Sequence, residues 1–226
     1  MPVRGKRISG DASFDRVAEG YDFMDSLYND NDFFLANMPE KKGAALDVGC
    51  GSGIVAEALA PHFGRVVGID ISVSMLAIAR ARRQLPNVEY IMTDASELRG
   101  EGEYEYIVSR TTFHHIGDLP ELLERLKALL RPGGRIAALD CFSAKPVSRL
   151  RNQVFPFWAF PPDCIRLGPG AAARIFRFRE SKEWLDHLDT DVYLSREEFR
   201  ELYGRCLPGC EVKPVSCFMA AVWDKR

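Results

Sequence analysis

The run Leu46-Asp47-Val48-Gly49-Cys50-Gly51-Ser52-Gly53 restricts this chain more than any other stretch. Ala44, Ala45, Leu46 and Val48 read as a short buried strand, and Ile54-Val55-Ala56-Glu57-Ala58-Leu59 has helical spacing. Between them the chain turns through three alternating glycines. Glycine has no Cβ and tolerates φ > 0, so such a turn lets backbone approach a ligand closely. The helix start beyond it offers unpaired N–H groups to a polar or anionic group. Strand, glycine turn and helix in that order predict a nucleotide-like cofactor at the turn.

The rest of the chain repeats the alternation. Arg65-to-Asp70, Val88-to-Met92, Tyr104-to-Ser109 and Arg135-to-Cys141 read as strands. Ser74-to-Arg83 and the Leu122-to-Leu130 segment, the latter opened by an expected capping box of Asp118 and Glu121, read as helices between them. Strands alternating with helices predict a parallel sheet covered on both faces. Ahead of this unit, residues 1–12 read as a loose arm, and the aromatic-rich segment from Phe14 to Phe34 reads as one or two helices ending near Pro39. Behind it, residues 143–194 lose periodicity. A second capping box at Ser195 and Glu198 then opens a helix to about Cys206, followed by strands at Glu211-to-Val215 and Cys217-to-Trp223.

At 226 residues and 46% hydrophobic composition, the chain can bury one sizeable core. A net charge of −2 gives no global attraction to nucleic acid or membrane. No apolar run approaches the ~18 residues needed to span a bilayer. The basic start Met1-Pro2-Val3-Arg4-Gly5-Lys6-Arg7 lacks the apolar stretch of a signal peptide, so a cytoplasmic location is expected. Six cysteines read as free thiols. Cys206 and Cys210 form C-x₃-C without the second half of a zinc site, so no metal is expected.

A dinucleotide turn wants G-x-G-x-x-G, with pyrophosphate over the helix start. Here the spacing is Gly49-x-Gly51-x-Gly53, and Asp47 stands two residues before the first glycine. A carboxylate there would repel a pyrophosphate and accept hydrogen bonds from a cationic amino group. Asp70, ending the second strand, is placed for ribose hydroxyls. Asp94, after the third, is placed for the exocyclic amine of a purine. An amino-acid end, a ribose and an adenine without phosphate describe S-adenosylmethionine.

Five ordered pieces then resemble the class I S-adenosylmethionine-dependent methyltransferases, of the small-molecule branch often called type 11. They are Leu46-to-Gly53, Val67-Gly68-Ile69-Asp70-Ile71-Ser72, Thr93-Asp94-Ala95, Val108-to-Ile116 and Leu130-Arg131-Pro132-Gly133-Gly134. The resemblance implies a Rossmann-like, mostly parallel seven-stranded α/β sheet with helices on both faces and its last strand antiparallel. It implies a single domain over 1–226, with an N-terminal helical lid at 13–39 and a substrate cap at 143–194, before the last helix. It assigns Asp47, Gly49 and Gly51 to the methionine end of the cofactor, Asp70 to the ribose, and Ile71, Met75, Asp94 and Ala95 to the adenine, with Cys50 also among the cofactor-binding residues. Ser109 and Arg110 would line the amino-acid side, and Tyr21 matches an aromatic that closes over the cofactor.

Methyl transfer from a sulfonium needs an acceptor atom in line, about 3 Å from the methyl carbon. His114 and His115 stand where the family places residues beside that methyl, and either is a candidate general base. His62 reads as structural, and His187 as a second-rank candidate. The cap aromatics around Phe155-Pro156-Phe157-Trp158 would build an apolar pocket. Eight basic residues between Lys145 and Lys182 suit an anionic or aromatic small acceptor. An RNA or protein methyltransferase using the basic cap, and a non-methylating regulator, lyase or cyclase, stay open as alternatives, as does a homodimer.

Overall fold

The computed structural model describes residues 12–28, 30–143 and 148–226. The expected arm thus lies outside the described residues up to position 11, and Ala12 opens the first helix. Two helices, α1 (Ala12–Leu27) and α2 (Asn31–Ala36), precede the sheet. An alternating series follows: β1 (Ala44–Val48), α3 (Ile54–Leu59), β2 (Arg65–Asp70), α4 (Val73–Arg82), β3 (Val88–Met92), β4 (Tyr104–Arg110), α5 (Leu119–Leu129) and β5 (Leu130–Cys141). The second half is α6 (Arg149–Leu167), α7 (Pro169–Arg179), α8 (Lys182–Leu188), α9 (Arg196–Cys206), β6 (Glu211–Val215) and β7 (Phe218–Asp224).

The seven strands lie in the order β3-β2-β1-β4-β5-β7-β6. All neighbours from β3 to β5 are parallel, and β7 runs antiparallel to both β5 and β6. The expected mostly parallel sheet with an antiparallel last strand is therefore present. Strand sequences are apolar at successive positions because helices cover both faces. Leu46, Val48, Val67, Ile69 and Ile107 pack with Leu122, Leu126, Phe199 and Tyr203 of α5 and α9. The alternate residues Ala45, Val66, Tyr106 and Val108 pack with Phe34, Val55, Leu59 and Leu76 on the other face. This period-two division puts the C-terminal ends of the central strands at one edge of a rigid slab.

Three local expectations change. Asp118 accepts the Glu121 amide, but no reciprocal bond completes a capping box there, whereas both halves of the Ser195–Glu198 box form. Strand β5 starts at Leu130, so the Arg131-Pro132-Gly133-Gly134 stretch lies inside it. Residues 149–188, where no periodicity was legible, form three consecutive helices.

Candidate functional site

A cavity of about 530 Å³ opens at the ends of β1, β2 and β4, where the strand order reverses. Open α/β sheets form their ligand crevices at such a switch point. Gly49 and Gly51 line it from the β1 turn, Asp70 and Ile71 from the end of β2, and Thr111 and Thr112 from the end of β4. Helix α1 contributes Phe14 and Tyr21. The glycine turn is sterically required. Gly49 has φ +70°, and a Cβ on it would sit 2.1 Å from the Thr112 hydroxyl oxygen. Gly53 has φ +85°, with the Tyr90 hydroxyl 2.3 Å from where its Cβ would be.

A smaller recess beneath the turn is lined by Asp47, Cys50, Asp25 and Arg110. Asp47 is buried, and its Oδ2 makes no hydrogen bond. Burial pushes its carboxyl up to about 7; the Ala56 amide opposes the shift and the neighbouring Asp70 adds to it. A buried carboxyl with an unused acceptor is suited to a cationic donor. Asp70 accepts the Gly51 and Ser72 amides, each at 2.8 Å, through different oxygens. Each oxygen keeps acceptor capacity toward the cavity. Met75, Asp94 and Ala95 line the same cavity, with Asp94 also accepting the Ser96 amide at 2.7 Å.

Arg110 lines both spaces and is held by Asp25 at 2.7 Å and Asp30 at 3.7 Å. Burial disfavours its charge, but Asp25 and Asp30 outweigh that and raise its pKa. Tyr21 places its hydroxyl 3.3 Å from that of Thr111. Ser109 is a correction. It lines neither space, and its hydroxyl donates to the Val48 carbonyl at 2.9 Å, stitching β4 to β1 inside the sheet.

The adjacent histidines occupy different places. His115 lines the cavity, and burial together with the neighbouring His114 and His187 rings lowers its pKa to about 2. His114 does not line the cavity. Its Nδ1 lies 2.5 Å from Asp140 Oδ1, and although burial disfavours its charge, Asp140 raises its pKa overall. Their expected interchangeability as bases is therefore corrected: one ring faces the ligand space and the other is braced behind it. His187, the second-rank candidate, is buried against His115 with ring centroids 5.5 Å apart.

The expected cap pocket is corrected as well. No residue of 148–194 lines the cavity. Phe155, Phe157 and Trp158 lie on the surface of α6, Trp158 at 78% exposure. The cap reaches the site indirectly, through Trp184 against Tyr21, His187 against Phe14 and His115, and Asp191 beside His115. Several of its arginines are engaged elsewhere. Arg149 pairs with Asp186 and Asp189, Arg179 pairs with Asp163, and Arg174 stacks on Phe23. Lys145 lies outside the described residues. Sequence reasoning also missed Phe14, Thr111, Thr112 and Asp191. Thr111 has φ +51°, a conformation no sequence pattern announces for a β-branched residue.

A glycine turn at the switch point of a parallel sheet, with a buried acid under it and a strand-end acid beside it, defines a Rossmann-like domain for a nucleoside cofactor. Residues 45–134, about two fifths of the chain, match the family described as "Methyltransferase domain". An uncharacterized methyltransferase of Schizosaccharomyces pombe is 31% identical over 129 residues, covering 51% of this chain and 43% of that protein. A ubiquinone biosynthesis O-methyltransferase of Acinetobacter baumannii is 35% identical over 96 residues, 40% of each. The chain thus spans about two fifths of the length of these relatives. Among solved structures, a DhpI–SAH complex aligns with TM-score 0.65 at 18% identity over 97% of both chains. A Haemonchus contortus phosphoethanolamine N-methyltransferase 2, in complex with phosphomonomethylethanolamine and S-adenosylhomocysteine, aligns with TM-score 0.63 at 22% identity, over 91% of this chain and 46% of that one. At such identities the likeness establishes the fold.

Proposed function

We propose that this protein transfers the methyl group of S-adenosylmethionine to an O, N or C atom of a small organic acceptor, releasing S-adenosylhomocysteine. The observation that carries the reading is the unpartnered, buried Asp47 Oδ2 under a glycine turn. A dinucleotide would bring phosphate to that point, whereas the amino-acid end of S-adenosylmethionine brings an ammonium group. Asp47 holds that ammonium, Gly49 and Gly51 let the chain approach the methionine end, and Cys50 packs below it. Asp70 accepts the ribose hydroxyls. Ile71, Met75 and Ala95 flank the adenine, with Asp94 at its amine. Tyr21, and Arg110 through its pairing with Asp25, position the lid formed by α1 and α2.

When bound, the sulfonium supplies an electrophilic methyl carbon. The protein's part is placement, which can supply several kcal/mol of the barrier. His115 stands at the ligand space as a neutral ring, and at a pKa of about 2 it orients an acceptor better than it deprotonates one. A cavity of about 530 Å³ is in the range of small-molecule sites, which favours a small acceptor over a polymer. The cap over 143–194 acts by bracing the lid rather than by lining the pocket. Six free thiols suit a reducing compartment such as the cytoplasm. No helix among the described residues is long and apolar enough to cross a membrane.

Calorimetric titration with S-adenosylmethionine and with S-adenosylhomocysteine tests the cofactor assignment; saturable binding of both is expected, and no heat from either removes the reading. Appearance of S-adenosylhomocysteine with a panel of small acceptors, and none with bulk tRNA, tests the acceptor class.

A further inference from the structure

Three of the chain's four histidines and two of its aspartates meet where the cap returns to the sheet. Residues His114 and His115 come from the end of β4, Asp140 from β5, His187 from α8, and Asp191 from the segment after α8. One ring nitrogen of His114, one of His115 and one carboxylate oxygen of Asp191 lie within 4.8 Å of one another. His115 Nδ1 is 3.5 Å and His187 Nε2 is 4.0 Å from the same atom, Asp191 Oδ1. The Asp191 side chain is only 2% exposed, and this Oδ1 makes no hydrogen bond. Its other oxygen accepts the Tyr193 hydroxyl at 2.5 Å, which fixes the carboxylate's rotation.

We propose that His114, His115 and Asp191 form a binding site for a divalent transition-metal ion, at the edge of the ligand cavity. Two imidazoles and a carboxylate are a donor set that zinc, iron(II), cobalt(II) and nickel(II) all accept. Around a tetrahedral ion with bonds of about 2.0–2.1 Å, ligand atoms stand roughly 3.3 Å apart, close to the observed 3.5 Å and longer than a good hydrogen bond. The second observation is on His114. Its Nδ1 is held by Asp140 at 2.5 Å, which leaves Nε2 to ligate. A carboxylate bracing the far nitrogen of a histidine is the usual outer partner of a metal ligand. A dication would also balance two carboxylates buried among imidazoles. His115 lines the cavity, so the ion would stand within reach of a bound acceptor.

A neighbouring set, His114 with Asp140 and Cys141, shares His114 and is the natural rival. It would use Asp140 as a ligand and leave the orphaned Asp191 oxygen without a role.

The test needs no methyl donor, so its outcome is independent of the proposed methyl transfer. The full chain, purified without chelator, is analysed for metal content, stripped, and titrated with cobalt(II) while visible absorption and thermal unfolding are followed. About one equivalent per chain, a visible band of a tetrahedral site and a raised unfolding temperature are expected. Asp191→Asn should weaken cobalt binding by roughly 100-fold or more, and Asp140→Asn by about 10- to 100-fold as an outer partner. Cys141→Ser should leave binding unchanged. Circular dichroism of each metal-free variant separates loss of a ligand from loss of the fold. The wild-type titration decides the matter even if a variant misfolds: no cobalt band and no thermal shift overturn the site. Binding that survives Asp191→Asn and is lost in Cys141→Ser overturns this ligand set in favour of its neighbour.

Discussion

Asp47 combines a cost to the free protein with a use, in the proposed function, once the cofactor is bound. Its carboxyl is pushed up to about 7 in the folded chain, against about 3.9 when unfolded. Between those values the folded chain holds a proton that the unfolded chain has released, so this group makes ligand-free stability fall as pH rises from about 4 to about 7. A shift of about three units corresponds to at most about 4 kcal/mol. Asp47→Asn is therefore expected to stabilise the ligand-free protein at pH 8, by about 1–4 kcal/mol in urea unfolding, and to leave it little changed at pH 4. The same variant should weaken S-adenosylmethionine binding by roughly 10- to 100-fold, as loss of a charged hydrogen bond does. Equal affinity in calorimetry would remove Asp47 from the site. Because the ammonium needs the ionised carboxylate, wild-type affinity should fall about tenfold per pH unit below pH 7, with proton release that differs in heat between two buffers. A flat profile from pH 5 to 8 contradicts the assignment.

Elements were legible in the sequence where a local rule and the tertiary environment agreed. Helix α9 carries both halves of its capping box, Ser195 and Glu198, and its apolar Phe199 and Tyr203 recur at helical spacing to meet α5. Ser195→Ala should accordingly cost about 1 kcal/mol, read as a shift in the urea midpoint at unchanged slope. Helices α6 to α8 broke the rule. Pro156, Pro161 and Pro162 lie inside α6, where each removes an intrahelical bond and disguises a helix as a loop. Ser148 and Ser181 do cap α6 and α8, but the residues three positions on are Arg151 and Trp184, so no acidic signature appeared. The cofactor turn was legible because its glycines answer to a local backbone requirement that the sequence spacing displays. At Gly53, φ +85° and the nearby Tyr90 hydroxyl both oppose a Cβ. Gly53→Ala should lower the unfolding temperature and abolish measurable cofactor binding, whereas Gly204→Ala, in α9 with open space around it, should do neither. The histidine cluster was only half legible. Adjacency of His114 and His115 is visible in a sequence, but their meeting with Asp191 depends on how the cap returns to the sheet.

At the scale of the molecule, the cavity lies between a rigid slab and a helix that the slab grips by charge. Asp22 of α1 pairs with Arg83 at 2.7 Å, Asp25 pairs with Arg110 at 2.7 Å, and Asp15 accepts the Ser72 hydroxyl at 2.7 Å. Those three anchors tie α1 to the C-terminal end of α4, to the end of β4 and to the start of α4. A ligand filling the cavity touches Phe14 and Tyr21 as well as the strand ends, so its binding energy is shared between α1 and the slab. At a free concentration of 100 times Kd, a ligand specific for the folded state adds about 2.7 kcal/mol. For a domain of this length that is roughly 5–10 °C in unfolding temperature. S-adenosylhomocysteine should produce a shift of this size, with slowed amide exchange in α1, at Gly49 to Gly53 and at Thr111 to His115. The β6–β7 edge, remote from the cavity, should exchange as before. Protection confined to the ends of β2 and β3, with α1 unchanged, would show that α1 is a fixed wall rather than a lid. In that case Arg110→Lys would leave affinity intact instead of reducing it.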